Sequence, residues 1–157
     1  VMWKREATVL MYHLLMGQKV CDQPDAFTVK DGVKQPILEK LPFDRFGDIW
    51  CGIFMKKIAD HCGFRVRTGM PYIRHERASN PFTNLKKEAN GIEVNEKLWE
   101  YVDKLEFDSG LTPGAFAFPV FYARLGMHIA NYDQYPEHKE YFSRLGEAMI
   151  TWAGLFQ

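Results

Sequence analysis

Cysteine is scarce in this chain and charge of either sign is not in excess, and each shortage narrows the function classes open to it. The three cysteines, Cys21, Cys51 and Cys62, are odd in number and none forms a Cys-x-x-Cys pair. That argues against a zinc ribbon or a disulfide-stapled framework, and the thiols read as reduced core residues of a cytoplasmic protein. Lysine plus arginine number 20 and aspartate plus glutamate number 20. No net field therefore draws the chain to nucleic acid, and any basic patch must be local. No apolar run approaches the roughly 18 residues of a membrane span, and no signal peptide is visible. A Gly-rich phosphate loop, a nucleophile elbow and a His-Glu-x-x-His pair are all missing. So is Asp-x-Asp: Asp22 and Asp25, like Asp44 and Asp48, have the wrong spacing.

What is present fits one domain over residues 1–157, with 46% hydrophobic and 15% aromatic residues to build a core. Val1 opens inside an apolar run that leads straight into a helix, which suggests a portion of a larger protein. Helical spacing of Ala7, Leu10, Met11, Leu14 and Leu15 predicts a helix over 4–16. Residues 18–42 are rich in turn signals and read as an irregular connection, with room for a short hairpin at Asp31-Gly32. A wide apolar arc predicts a central helix over 47–62, stopped by Gly63. Alternation of Phe64, Val66 and Thr68 with Arg65 and Arg67 predicts a half-buried strand. A second strand is expected over 72–77, so a small β-structure near 64–77 should pack with several helices. Ser79 or Asn80 should cap the next helix, with Pro81 at its first position and Asn90-Gly91 at its end. A further helix over 94–105 should turn Leu98, Trp99, Val102 and Leu105 inward. Residues 111–157 read as a helical tail.

Several residues stand out chemically. Asp48 sits at the start of a buried helix, where backbone N–H groups and the dipole favour a negative charge; a plain helix cap is the simpler reading. His75 lies on the expected second strand and reads on its own as a packed or surface residue. Arg77 and Asn80 flank a strand-to-helix turn, where main-chain donors and a forked guanidinium suit an anion. Lys86 and Lys87 read either as a solvated helix face or as added positive charge there. Trp50 fits the core, with a sugar platform as its second use.

The wording of two strings adds to this. Residues 75–88, His-Glu-Arg-Ala-Ser-Asn-Pro-Phe-Thr-Asn-Leu-Lys-Lys-Glu, and residues 47–53, Gly-Asp-Ile-Trp-Cys-Gly-Ile, resemble the reversibly glycosylated polypeptides, the family that includes UDP-arabinopyranose mutases. The resemblance covers roughly the first two thirds of the chain and is strongest over 44–92. The family shows Asp-Asp-Met-Trp-Ala-Gly-Trp where this chain has Gly47-Asp48-Ile49-Trp50, so Gly47 replaces the first aspartate of a pair. It implies an α/β architecture, α+β in this chain, forming the C-terminal part of a GT-A type nucleotide-sugar enzyme. It implies a UDP-sugar as partner, with ring-form mutation or self-glycosylation as activity. Asp48 would then be the catalytic carboxylate. Trp50, Arg74, Arg77, Ser79, Asn80, Asn84, Lys86 and Lys87 would hold sugar and diphosphate, and His75 would bind a divalent cation, Mn²⁺ or Mg²⁺. Two other readings stay open: a non-catalytic helical interaction domain that keeps the scaffold, and a plain glycosyltransferase acting on an external acceptor. A homo-oligomer is compatible with all three.

Overall fold

The computed structural model describes residues 4–12, 18–20, 27–36, 38–40, 43, 45–67, 69, 80–107 and 110–157. It is predominantly helical. A 3₁₀ helix, Arg5–Leu10, is followed by four short strands: β1 (Gln18–Val20), β2 (Phe27–Lys30), β3 (Val33–Pro36) and β4 (Leu38–Lys40). Four α-helices complete the order: α1 (Gly47–His61), α2 (Pro81–Lys104), α3 (Phe118–Ala130) and α4 (Lys139–Gly154).

The stretch read as an irregular connection therefore contains the β-structure. β2 and β3 pair antiparallel from Phe27↔Pro36 to Lys30↔Val33, and β1 and β4 pair around them from Gln18↔Lys40 to Val20↔Leu38. The inner hairpin turns at Asp31-Gly32, both with positive φ (53° and 77°). That is the two-residue turn an Asp-Gly pair favours, because its twist matches that of the strands.

The strand expected at 64–68 does not form over 64–67, which carry no strand pairing. An alternating pattern makes a strand only when a neighbour completes its ladder, and among the described residues none does. Phe64 is fixed by the end of α1 instead. Gly63 at φ 75° lets its N–H reach Asp60 O (3.0 Å) and the Phe64 N–H reach Ala59 O (2.8 Å), the double bond of a Schellman cap. Phe64 then packs on Phe118, ring centres 5.0 Å apart. The second expected strand, 72–77, lies outside the described residues.

Two helices predicted over 80–91 and 94–105 are one helix. α2 runs unbroken from Pro81 to Lys104 through Asn90-Gly91. Gly91 is buried, and a Cβ there would collide with the Phe46 ring. Its glycine thus serves a close approach of α2 to the start of α1 rather than a stop. At the other end of the chain, the helix expected over 4–16 is a 3₁₀ helix over Arg5–Leu10, with residues 13–17 outside the described set. It is tied to α4 by Trp152, whose indole N–H donates to Val9 O at 2.8 Å.

The core lies where α1, α3 and α4 meet. Phe54 and Ile58 of α1, Phe121, Leu125 and Ile129 of α3, and Phe142, Leu145 and Met149 of α4 are fully buried. α2 adds Val94, Leu98 and Val102 from its second half alone. α3 and α4 touch backbone to backbone at Gly126 and Gly146, where a Cβ on Gly126 would sit 2.9 Å from Gly146 O. Burial also pushes the thiols of Cys51 and Cys62 upward in pKa, with the Asp48 carboxylate adding to the effect at Cys51. Both are free thiols, and a thiol held neutral is a poor nucleophile.

Candidate functional site

The first turn of α2 starts from a cap that the sequence spells out. Asn80 has an extended backbone and its Oδ1 accepts the Phe82 N–H at 2.9 Å. Its carbonyl accepts the Asn84 N–H at 3.2 Å. Pro81 has no N–H, so of the first donors in the helix one is missing and one is already used. An anion at this helix start would meet fewer main-chain donors than usual, and would depend on side chains. Asn84 is half-buried, while Lys86 and Lys87 are exposed. Successive residues on a helix point about 100° apart, so the two lysines serve different directions.

Asp48 lies in the first turn of α1 and is exposed. It is not the cap residue: Phe46 holds that position and makes no side-chain bond to the helix. One Asp48 oxygen accepts the Ile49 N–H at 3.0 Å. Three contacts lock this end of α1 onto the middle of α2: Phe46 against Gly91, Arg45 to Glu88 at 3.3 Å, and the Trp50 indole N–H to Asn95 Oδ1 at 2.9 Å. Asn80 lies eight residues before Glu88, about 12 Å along the helix axis. Asp48 and the capped end of α2 are thus fixed to one rigid pair of helices but not in direct contact.

Trp50 is a core residue. It is 0% exposed. Phe43, Phe46, Tyr141 and Phe142 surround its ring at 5.2–6.2 Å. No face of the indole is open to a sugar, so its use as a stacking platform is not carried by this packing. Arg74, His75, Arg77 and Ser79 lie outside the described residues. Among the described residues, no group of three or more His, Cys, Asp and Glu side chains could hold a metal ion. No described helix is long and apolar enough to cross a membrane.

Two residues were missed by sequence reasoning. Asn95 is the polar partner of the buried Trp50, and its signal was an amide sitting between the inward positions Val94 and Leu98. Trp99, expected inward, is 47% exposed. It follows Leu98 directly and so lies about 100° around the helix from that buried residue, which places it at the edge of the inward face. With Ile49, Gly52, Ile53 and Val102 it lines a groove of about 410 Å³ between α1 and α2, rimmed by Lys56, Lys57, Asp60 and Asp103.

Residues 25–157 match the model of the family described as reversibly glycosylated polypeptide. The chain belongs to that family. The match continues through α3 and α4, further than the resemblance of the motif strings. Among curated proteins, UDP-arabinopyranose mutase 1 of Arabidopsis thaliana is 38% identical over 111 residues, which is 71% of this chain and 29% of that protein. A probable UDP-arabinopyranose mutase 1 of Solanum tuberosum is 37% identical over 111 residues, again 71% and 29%. A probable UDP-arabinopyranose mutase 4 of Arabidopsis thaliana is 34% identical over 116 residues, 73% and 30%. The chain spans about 30% of the length of these relatives.

Proposed function

We propose that this chain is the C-terminal part of a GT-A type UDP-sugar enzyme of the mutase kind and supplies contacts to the sugar and diphosphate. The family match over 25–157 carries this reading. Ring-form mutation needs the diphosphate to leave and return, so the protein must stabilise charge on the leaving group. Arg77 with Lys86 and Lys87 would give that charge, and Arg74, Ser79, Asn80 and Asn84 would add polar contacts to the sugar and diphosphate. Asp48, exposed at the start of α1, would orient or deprotonate a sugar hydroxyl. The same carboxylate would serve as the base of a plain transferase acting on an external acceptor. A cytoplasmic setting fits the free thiols at Cys51 and Cys62.

The described residues do not by themselves fit a cation site. His75 is the residue proposed toward Mn²⁺ or Mg²⁺. A second reading, a helical interaction domain that retains the scaffold without the chemistry, is favoured by the glycine at position 47 and by the exposed apolar side chains of α2.

Calorimetric titration of the chain with UDP, with and without Mn²⁺, separates the two. Binding that needs Mn²⁺ and is lost in His75→Ala, and binding weakened in Arg77→Ala, are the outcomes the enzyme reading expects. Absence of UDP binding in both conditions would sink the claim that this part contributes a diphosphate site.

A further inference from the structure

The groove between α1 and α2 has Ile49, Gly52 and Ile53 on one wall and Trp99, Val102 and Asp103 on the other. Val102 is buried at its base, while Ile49 and Trp99 are 45% and 47% exposed. Two observations set it apart from an ordinary cleft between helices. The first is Gly52, which sits inside the 15-residue helix α1, where glycine costs stability relative to alanine. Nothing lies within 4 Å of the place its Cβ would take, so no packing within the described residues calls for the missing side chain. A glycine of that kind leaves backbone open to the close approach of a ligand. The second is the pair Trp99 and Asp103, one helical turn apart on α2 and therefore neighbours on its surface. Among the described residues, neither the Trp99 indole N–H nor the Asp103 carboxylate has a hydrogen-bond partner; Asp103 is engaged only through its main-chain oxygen.

We propose that this groove binds a neutral saccharide, with the C–H face of one ring on the Trp99 indole and two adjacent hydroxyls donating to the Asp103 carboxylate. Its volume of about 410 Å³ is that of a small-ligand site, which is mostly apolar with a few placed polar groups. The open backbone at Gly52 gives the opposite face of the ring room to settle. Trp99 lies 12 residues beyond Lys87, about 18 Å along the helix axis. The groove is therefore separate from the contacts proposed for the diphosphate, and its occupancy does not depend on them.

The chemistry of the lining selects this class of ligand. The rim carries two lysines and two aspartates, so a charged ligand gains no net attraction there. Both lysines are already engaged: Lys56 pairs with Asp60, and Lys57 Nζ donates to Asp103 O at 2.5 Å. An aliphatic chain would strip water from Asp103 and from the indole N–H without replacing the lost hydrogen bonds. A carboxylate only accepts, so the group placed on Asp103 must donate, and two adjacent hydroxyls do so twice. A uracil ring would stack on the indole as well, but its single ring N–H stands between two carbonyl oxygens that the carboxylate repels. A saccharide ring offers an apolar face and a donating edge together. The indole, apolar in body with one polar N–H, matches that division and can donate to a further hydroxyl.

The test is an NMR titration of the 157-residue chain, read at the Trp99 indole N–H signal, which is assigned by its loss in Trp99→Ala. The probe is cellobiose, a disaccharide whose equatorial hydroxyls leave both ring faces flat, and uridine is titrated separately. A saturable shift of the Trp99 signal is expected with cellobiose below about 10 mM. Asp103→Asn keeps the shape and loses the charge-assisted acceptor, so affinity should fall about tenfold. Gly52→Leu fills the groove from a position with open space above it. That variant should abolish the shift while melting no lower than the parent, since leucine is the better helix former. No shift up to about 10 mM cellobiose would overturn the proposal. So would a shift that survives both Asp103→Asn and Gly52→Leu at parental affinity, or uridine shifting the Trp99 signal where cellobiose does not. The UDP titration with His75→Ala reads a different region, so a failure there leaves this result standing, and the reverse holds too.

Discussion

The α3–α4 pair and the junction of α2 with α1 both close on a glycine, yet the two contacts are built differently. Gly146 and Gly126 bring two helix backbones together: each missing Cβ faces the other glycine's carbonyl, with Ala130 also against Gly146 and the Met149 and Ile150 side chains against Gly126. Gly91 faces the edge of the Phe46 ring, a side chain. Backbone held by its own helical hydrogen bonds has nowhere to go; a ring can rotate or shift within its packing. The first contact therefore fixes the distance between its helices, and the second has some give. Beyond Gly91, toward Asn80, α2 has no buried residue at all. Among the described residues, the molecule thus grades from a rigid α3–α4 core, through an adjustable junction, to a helix end held by one cap and one ion pair.

Gly146→Ala is the hardest way to break that gradation. The added methyl meets Gly126 O and Ala130 with no room to relax, and overpacking of this kind costs about 3 kcal/mol. The denaturation midpoint should fall with no change in the slope of the transition. A variant as stable as the parent would show that α3 and α4 can separate. Gly91→Ala should cost less. Alanine gains about 1 kcal/mol in helix propensity, which partly offsets the displacement of Phe46, so a net loss of about 1–2 kcal/mol is expected. Phe46→Leu in the same background should recover part of it. A Gly91→Ala protein more stable than the parent would mean that the ring moves freely and the junction is looser still.

The same gradation explains what sequence reading could and could not reach. α1 was legible at its C-terminal end because Gly63 does locally what it signals, and the Asp31-Gly32 turn was legible for the same reason. Asn90-Gly91 carries an equally strong local stop signal, but there tertiary contact with Phe46 overrides it. One glycine ends a helix and another lets a helix pass, and only the packing partner tells them apart. Trp99 is a separate miss: an aromatic next to Leu98 reads as core, yet it sits about 100° around the helix from it. The alternation over 64–67 misled because a strand needs a neighbour that sequence does not display. For the candidate site, Asp48, Asn80, Asn84, Lys86 and Lys87 fall on the expected helix starts, while Trp50 belongs to the core. Motif wording revealed the family over 44–92, but the generic amphipathic pattern of α3 and α4 has no wording to match, although the family match includes them.

The smallest effect is the most diagnostic of where rigidity ends. Asn80→Ala removes the side chain that accepts the Phe82 N–H. Loss of such a cap costs about 1 kcal/mol. If residues 81–90 open as a local unit, the cost appears there alone. Their amides should then exchange about fivefold faster, while the amides of α3 and α4 keep their protection. The Arg45–Glu88 pair, each side chain 35% exposed, contributes at most about 1 kcal/mol and does not replace the cap. Equal acceleration throughout the molecule would mean that the start of α2 unfolds only with the core, and the contrast between the two regions would not hold. Acceleration confined to 81–90 would show a helix end stable enough to form but dependent on its surroundings. Such an end would gain the most from a bound ligand.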